Sequence, residues 1–167
     1  MADRPRLAIA GAGIGGLTAA LCLARAGLAV DVFERAPALE EVGAGIQLSP
    51  NASRILVGLG LEAAMSPVAV APQAMDVRSG PSGATIVSAP LGEAVARRYG
   101  SPWWVVHRAD LLGVLADAAA AEPAIRILTG AAVEAARPAP GGVELTMARD
   151  GAREVLTAEA LVGADGI

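Results

Sequence analysis

The sequence predicts an α/β fold: a βαβ unit on a parallel sheet, joined by an incomplete antiparallel β layer. Three observations predict it. A short apolar run, Leu7 to Ala10, leads straight into Gly11-Ala12-Gly13-Ile14-Gly15-Gly16, which fits G-x-G-x-x-G. A helical stretch, Ile14 to Ala26, then passes through Gly27 to a second apolar run, Leu28 to Phe33, closed by Glu34. From Val68 onward the βαβ spacing gives way to short strand-like runs separated by turn residues.

Strand, glycine turn, helix, strand and acid form the Rossmann-like dinucleotide-binding pattern. Each part has a physical task. Gly11 permits a tight turn off the strand, and Gly13 lets a pyrophosphate approach bare backbone. Gly16 allows the helix to pack close to the sheet. Free N–H groups at the helix start face the phosphates. Glu34 lies 34 − 16 = 18 residues past Gly16, near the spacing of about 20 for an acid that binds a ribose 2′-OH. Two other readings compete. Arg4 and Arg6 before an apolar run suit a signal peptide. Leu7 to Ala24 approaches the about 20 residues of a membrane span. Glycines are poor filler for both, and neither accounts for Glu34.

With 167 residues the chain is long enough for one domain with a core. An apolar share of 54% against 18% charged residues marks it as globular. Aromatic residues make up only 2%, so Ala, Val, Leu and Ile must fill the core. All 13 basic residues are Arg, and the net charge of −4 argues against nucleic acid as a partner. Arg97-Arg98 reads as a solvated face. Cys22 is the sole cysteine and cannot form an internal disulfide; its helix position predicts a buried structural thiol. Without a favoured signal peptide or span, a cytoplasmic location with no membrane partner is expected. A lone His107 and the lack of any Cys/His cluster predict no metal site.

Along the chain, Glu40 to Ser49 holds Gly43 and Gly45 and reads as a loop whose backbone lies close to something. Ser49-Pro50 is a helix start, and the helix Pro50 to Val57 should stop at Gly58 or Gly60. Val68 to Arg78 and Ala84 to Ser88 read as strands around Ser79 to Gly83, and Trp103 to His107 as another. The Trp103-Trp104 pair suits core or subunit contact better than an aromatic cage. Arg108 to Ala121 is a helix with Asp110 in its first turn. Ile125 to Leu128 is a short strand. Ala131 to Ala136 and Val143 to Met147 form a hairpin, and Arg153 to Thr157 adds a strand. Ala160 to Gly163 is expected as a last buried strand before Ala164-Asp165-Gly166.

Taken in order, GAGIGG with Glu34-Arg35, GAGIQLSPNASRIL at 43–56, HRADLL at 107–112 and VGADGI at 162–167 carry a resemblance. The chain resembles the N-terminal part of the single-component FAD-dependent aromatic hydroxylases, nearest to the salicylate hydroxylase and 3-hydroxybenzoate 6-hydroxylase group. That resemblance implies FAD as cofactor, with Gly11, Gly13, Gly15 and Gly16 at its pyrophosphate. Glu34 would hold the adenosine ribose with Arg35 beside it. Gly45 and Gln47 would lie near the flavin ring, Arg108 at the phosphates or ribityl chain, and Val133 at the adenine. Asp165-Gly166 matches the family's DG motif, linked to FAD and the pyridine nucleotide. It further implies NADH or NADPH as co-substrate, O2, a flavin C4a-hydroperoxide and a small hydroxybenzoate-like aromatic substrate.

Members of that family are longer, so residues 1–167 are expected to be a truncated N-terminal FAD-binding domain, with 68–107 opening a substrate-side β layer. No catalytic acid or base can be named. Hydroxylation by these residues alone is not expected. A nicotinamide dehydrogenase of the short-chain type needs Tyr-x-x-x-Lys, and Tyr99 is the one tyrosine in a chain without lysine. Another FAD- or NAD-dependent oxidoreductase and an inactive dinucleotide-binding module stay open. So do the aromatic substrate and the oligomeric state.

Overall fold

The computed structural model describes residues 6–39 and 43–166. Arg4, Glu40 to Val42 of the expected loop, and Ile167 lie outside the described residues. In chain order the elements are β1 (Arg6–Ala10), α1 (Ile14–Arg25), β2 (Ala29–Phe33), β3 (Gly45–Leu48), α2 (Pro50–Gly58), α3 (Glu62–Met65) and β4 (Ala69–Val70). Then come β5 (Ala74–Arg78), β6 (Thr85–Pro90), α4 (Gly92–Tyr99), β7 (Trp104–His107), α5 (Arg108–Ala121) and β8 (Ile125–Leu128). The last four are β9 (Ala131–Ala139), β10 (Gly142–Arg149), β11 (Ala152–Ala158) and β12 (Leu161–Gly163). Two compact units result: Met1–Glu41 with Leu112–Ile167, and Val42–Leu111.

In the first unit a four-stranded sheet runs in the order β12-β1-β2-β8, and every neighbouring pair is parallel. Four of the five residues of β2 are buried, as a parallel strand covered on both faces requires. Helix α1 packs on β1, β2 and β8 through Gly16, Leu17, Ala20 and Leu21. Full burial of a side chain such as Leu17 contributes about 1.5–3 kcal/mol. The helix stops in a Schellman turn. Gly27 takes φ +85°, its N–H donates to the Ala24 carbonyl, and the Leu28 N–H donates to the Leu23 carbonyl. A β9-β10-β11 antiparallel sheet supplies a second layer. Ala8, Phe33, Ala131, Leu145 and Met147 form a buried cluster of the unit, with one aromatic ring among aliphatic chains.

Asp31 joins three strands of the parallel sheet. Its carboxylate accepts from Arg6 Nε at 2.6 Å on β1, and from Arg126 Nε at 2.7 Å and Nη2 at 2.5 Å on β8. Burial pushes the Asp31 carboxyl up, but hydrogen bonds and charges from Arg126 and Arg6 outweigh it and hold the group below its usual 3.8.

The second unit is antiparallel. One sheet has the order β3-β7-β4, and β5 pairs with β6 as a separate ribbon. Helix α2 starts at Ser49 with Pro50 inside it, as the sequence predicts. Ser49 makes no side-chain cap; its hydroxyl donates to Asn51 Oδ1 instead. The helix closes in a second Schellman turn at Gly60, φ +81°. Fully buried Ser53 donates to the Pro102 carbonyl at 2.6 Å, so its hydroxyl is satisfied. Trp104 is buried in β7, and Trp103 is half-buried.

Several expectations need correction. Gly45 to Leu48 is a strand rather than loop, because its N–H and C=O groups find a partner in β7. Helices α3 and α4 were not anticipated. Strand β12 is not buried: it forms an edge of the sheet, and Val162 is 37% exposed. Cys22 is also exposed, since the inward stripe of α1 ends at Leu21 and the next residue turns about 100° away. The strand expected from Val68 to Arg78 is two strands, β4 and β5.

Candidate functional site

Strand β1 delivers its chain end into the glycine turn. Gly11 has φ +98°, a conformation that disfavours a side chain, and a Cβ there would overlap the Ala164 carbonyl oxygen. Its N–H donates to the Phe33 carbonyl at 2.7 Å, and the Ala164 N–H donates to the Ala10 carbonyl at 2.8 Å. The turn is thereby pinned between β2 and the segment after β12. A Cβ on Gly16 would overlap the carbonyl oxygen of Gly11, so this glycine mainly admits the turn itself over the helix start. Gly13 and Gly15 behave differently. A Cβ on either would meet nothing within 4 Å, so the protein leaves that space open.

Gly13 is the N-cap of α1. It makes no side-chain cap, and the first turn of the helix carries no acidic residue. A helix start of this kind presents uncapped N–H groups and a positive dipole end to an anion. A dinucleotide pyrophosphate suits that chemistry, and bare backbone at Gly13 and Gly15 admits it. FAD is therefore compatible with the residues present.

Beside the turn lies a pocket of about 110 Å³ whose lining includes Gly11, Glu34, Arg35, Val133 and Asp165. Five residues picked from four stretches of the sequence thus meet at one place. Glu34 follows β2 and is half-buried, with Oε2 accepting from the Ala12 N–H at 2.9 Å and Oε1 from the Ala36 N–H at 2.9 Å. Phe33, Ala131 and Ala132 also line the pocket. Sequence reasoning missed them because an apolar residue at a strand end carries no chemical signature. Gly166, with φ +87°, follows Asp165.

Gly45, Gln47 and Arg108 belong to the second unit. On β3, Gly45 lies opposite His107 and Gln47 opposite Val105; both β3 residues are exposed. Arg108 opens α5, and its N–H points to the Ala44 carbonyl at 3.4 Å. A Cβ on Gly43 would sit 3.1 Å from Arg108 Cδ. The expected close approach at this loop is therefore to the Arg108 stem.

A larger cavity, about 550 Å³, contains none of the candidate residues. It opens in the first unit, where Arg6, Asp31 and Arg126 of the parallel sheet face Val143 and Leu156 of the antiparallel one. The charged groups of this cavity, Arg6, Asp31 and Arg126, are paired with one another; the smaller pocket is the one that lies at the glycine turn. Among the described residues no cluster of His, Cys, Asp and Glu could hold a metal ion. No helix among them is long and apolar enough to cross a membrane.

The chain is similar to known proteins over almost its whole length. The chain is 42% identical over 168 residues to 3-amino-4-hydroxybenzoate 2-monooxygenase of Streptomyces cremeus, covering 100% of the chain and 41% of that protein. It is 40% identical over 159 residues to 3-hydroxybenzoate 6-hydroxylase 1 of Aquipseudomonas alcaligenes, covering 95% of the chain and 40% of that protein. Among solved structures, Klebsiella pneumoniae HpxO complexed with FAD and uric acid superposes with a TM-score of 0.80 at 28% identity, over 97% of this chain and 39% of that one. The chain thus spans about two fifths of the length of the relatives it matches. Residues 5–167 match the family described as FAD binding domain, and the chain belongs to that family.

Proposed function

We propose that this chain is the FAD-binding part of an NAD(P)H-dependent aromatic-ring monooxygenase. One observation carries the reading: Gly11 of the glycine turn meets Glu34, Val133 and Asp165 around one pocket, and the same turn leads into an uncapped helix start with open glycine backbone. Gly11, Gly13, Gly15 and Gly16 would hold the pyrophosphate. Glu34 would accept from a ribose hydroxyl with Arg35 at its side, and Val133 would face the adenine through its backbone. Asp165, followed by Gly166, would be the DG pair that the resemblance links to FAD and the pyridine nucleotide. The resemblance assigns Gly45 and Gln47 to the flavin ring and Arg108 to the phosphates or ribityl chain, and makes 68–107 the start of a substrate-side layer. Bound FAD supplies the redox chemistry through which NADH or NADPH and O2 serve ring hydroxylation. The residues of this chain bind the cofactor, orient it and shield it from water.

The substrate class follows from the relatives' names. Two of them act on benzoates carrying a ring hydroxyl, so a small hydroxylated aromatic acid is the substrate we infer. A cytoplasmic location belongs to the same reading; the single thiol is at home in a reducing compartment.

FAD titrated into the purified protein, followed by quenching of flavin fluorescence, tests the cofactor. Saturable one-to-one binding is expected; no binding by folded protein would overturn the reading. For the activity of the whole protein, NADH and NADPH consumption is measured with 3-hydroxybenzoate and 3-amino-4-hydroxybenzoate, with chromatography for product. Oxidation stimulated by neither acid, with no hydroxylated product, would refute the substrate class.

A further inference from the structure

We propose that Glu34 is a positioning residue which assembles the nucleotide pocket before any ligand arrives, in addition to the ribose contact on which the proposed function relies. Its two carboxylate oxygens are divided between two pieces of backbone. Oε2 takes the N–H of Ala12, inside the glycine turn, and Oε1 takes the N–H of Ala36, in the turn that leaves β2; both bonds measure 2.9 Å. The connection continues one step further through the main chain. The Gly130 N–H donates to the Ala36 carbonyl at 2.9 Å, and the Ala131 N–H donates to the Glu34 carbonyl at 2.8 Å. Those bonds seat the start of β9, which carries Val133 to the pocket. One side chain therefore buckles the glycine turn to the turn after β2, and through it to the β8–β9 turn.

The chemistry calls for a carboxylate. Ala12 is 1% exposed, so its N–H cannot turn to bulk water if the partner is lost. The buried Ala12 N–H and the half-buried Ala36 N–H each take one carboxylate oxygen. A carboxylate supplies about four acceptor positions and can serve both donors, with capacity left for a ribose hydroxyl. An amide has one oxygen, and its NH2 would face the second N–H donor to donor. Glu34→Gln therefore keeps the shape and a group able to bond a ribose hydroxyl, yet it must release one side of the buckle.

The test begins without FAD. Amide hydrogen exchange is measured residue by residue in the wild type and in Glu34→Gln, at Ala12, Ala36 and Gly130, with Val32 in β2 as a local control. Exchange at Ala12 or Ala36 at least about tenfold faster in the variant, with Val32 unchanged, is expected from the loss of one charge-assisted bond. Wild-type exchange at both amides would overturn the proposal. Should the variant not fold, the scalar coupling across the hydrogen bond between the Ala12 amide nitrogen and Glu34 Cδ is measured in wild type. Its presence supports the buckle, and its absence overturns it. FAD affinity then separates positioning from contact. A residue that only touches ribose is partly rescued by glutamine. A residue that also positions the turn is not, so Glu34→Gln should still weaken FAD binding about tenfold or more, and Glu34→Ala, which loses the ribose contact and both bonds of the buckle, should weaken it further; wild-type affinity in Glu34→Gln would overturn the positioning role. Because the exchange experiment contains no ligand, failure of the FAD reading would leave the positioning role of Glu34 standing or falling on exchange alone.

Discussion

Replacing Asp31 by asparagine should separate the three strands it joins. The side chain keeps its size but loses its charge and one acceptor oxygen. Arg6, whose side chain is 26% exposed, then faces an amide NH2 or a shared oxygen. Loss of its charge-assisted bond costs about 1.5–3 kcal/mol. The Arg126 pair adds little despite two good bonds, because that side chain is 61% exposed; solvent screening leaves it about 0.2–1 kcal/mol. Together the loss is about 2–4 kcal/mol, which for a urea slope of about 1–3 kcal/mol/M lowers the midpoint by roughly 1 M. Circular dichroism is the proper probe. Both tryptophans, Trp103 and Trp104, lie in the second unit and their fluorescence would report on it. The pH dependence gives a second check. A carboxyl held below its usual value in the folded state stabilises the fold above the unfolded value and loses that contribution as pH falls through the folded one. Asp31 is of this kind, lowered from 3.8. The gap between wild type and Asp31→Asn should hold steady down to about pH 5 and narrow below about 3.8. Equal midpoints near neutrality, or a gap as wide in strong acid as at neutrality, would refute the reasoning.

Two further outcomes follow from single positions. Gly13→Val should fold, since a Cβ there meets nothing within 4 Å, with thermal stability lowered only by the poorer helix N-cap, but should abolish measurable FAD quenching; normal binding would show that the turn is no phosphate cradle. Exposed Cys22 should react with a chromogenic thiol reagent to one equivalent in the native state. A thiol that reacts only after urea is added would restore the buried assignment made from sequence.

Much of the first unit was legible because local chemistry and tertiary need coincide there. Gly11, Gly13 and Gly16 fall within a few residues of one another and announce a backbone that must turn and be approached. Glu34 is an acid at the end of an apolar run, where burial argues against one. The short helix α4 left only faint marks: Glu93 in its first turn, Arg97 and Arg98 in its last, and Gly100 at φ +72° as its stop. Those are capping signals without an apolar stripe long enough to call attention. Strand β3 was hidden for a different reason. Only Ile46 in Gly45 to Leu48 prefers an extended state; pairing with β7, some 60 residues away, confers it on the rest. The second function of Glu34 was equally invisible, because the Ala12 and Ala36 N–H groups belong to residues whose side chains say nothing.

The neighbour relation of β1 and β12 sets an order of events. Ala8 to Ala10 pair with Leu161 to Gly163, across more than 150 residues of chain. On a ribosome adding about 5–20 residues per second, β1 waits for that partner long after β2 has emerged beside it. The same delay reaches the glycine turn, whose Gly11 lies against the Ala164 carbonyl and whose Ala10 carbonyl receives the Ala164 N–H. The helix and the first two strands can form early from near neighbours, but the turn takes its final shape only when residue 164 docks. Any step that needs the finished turn therefore waits until residue 164 has been made and has docked, and contacts of such long sequence separation form slowly.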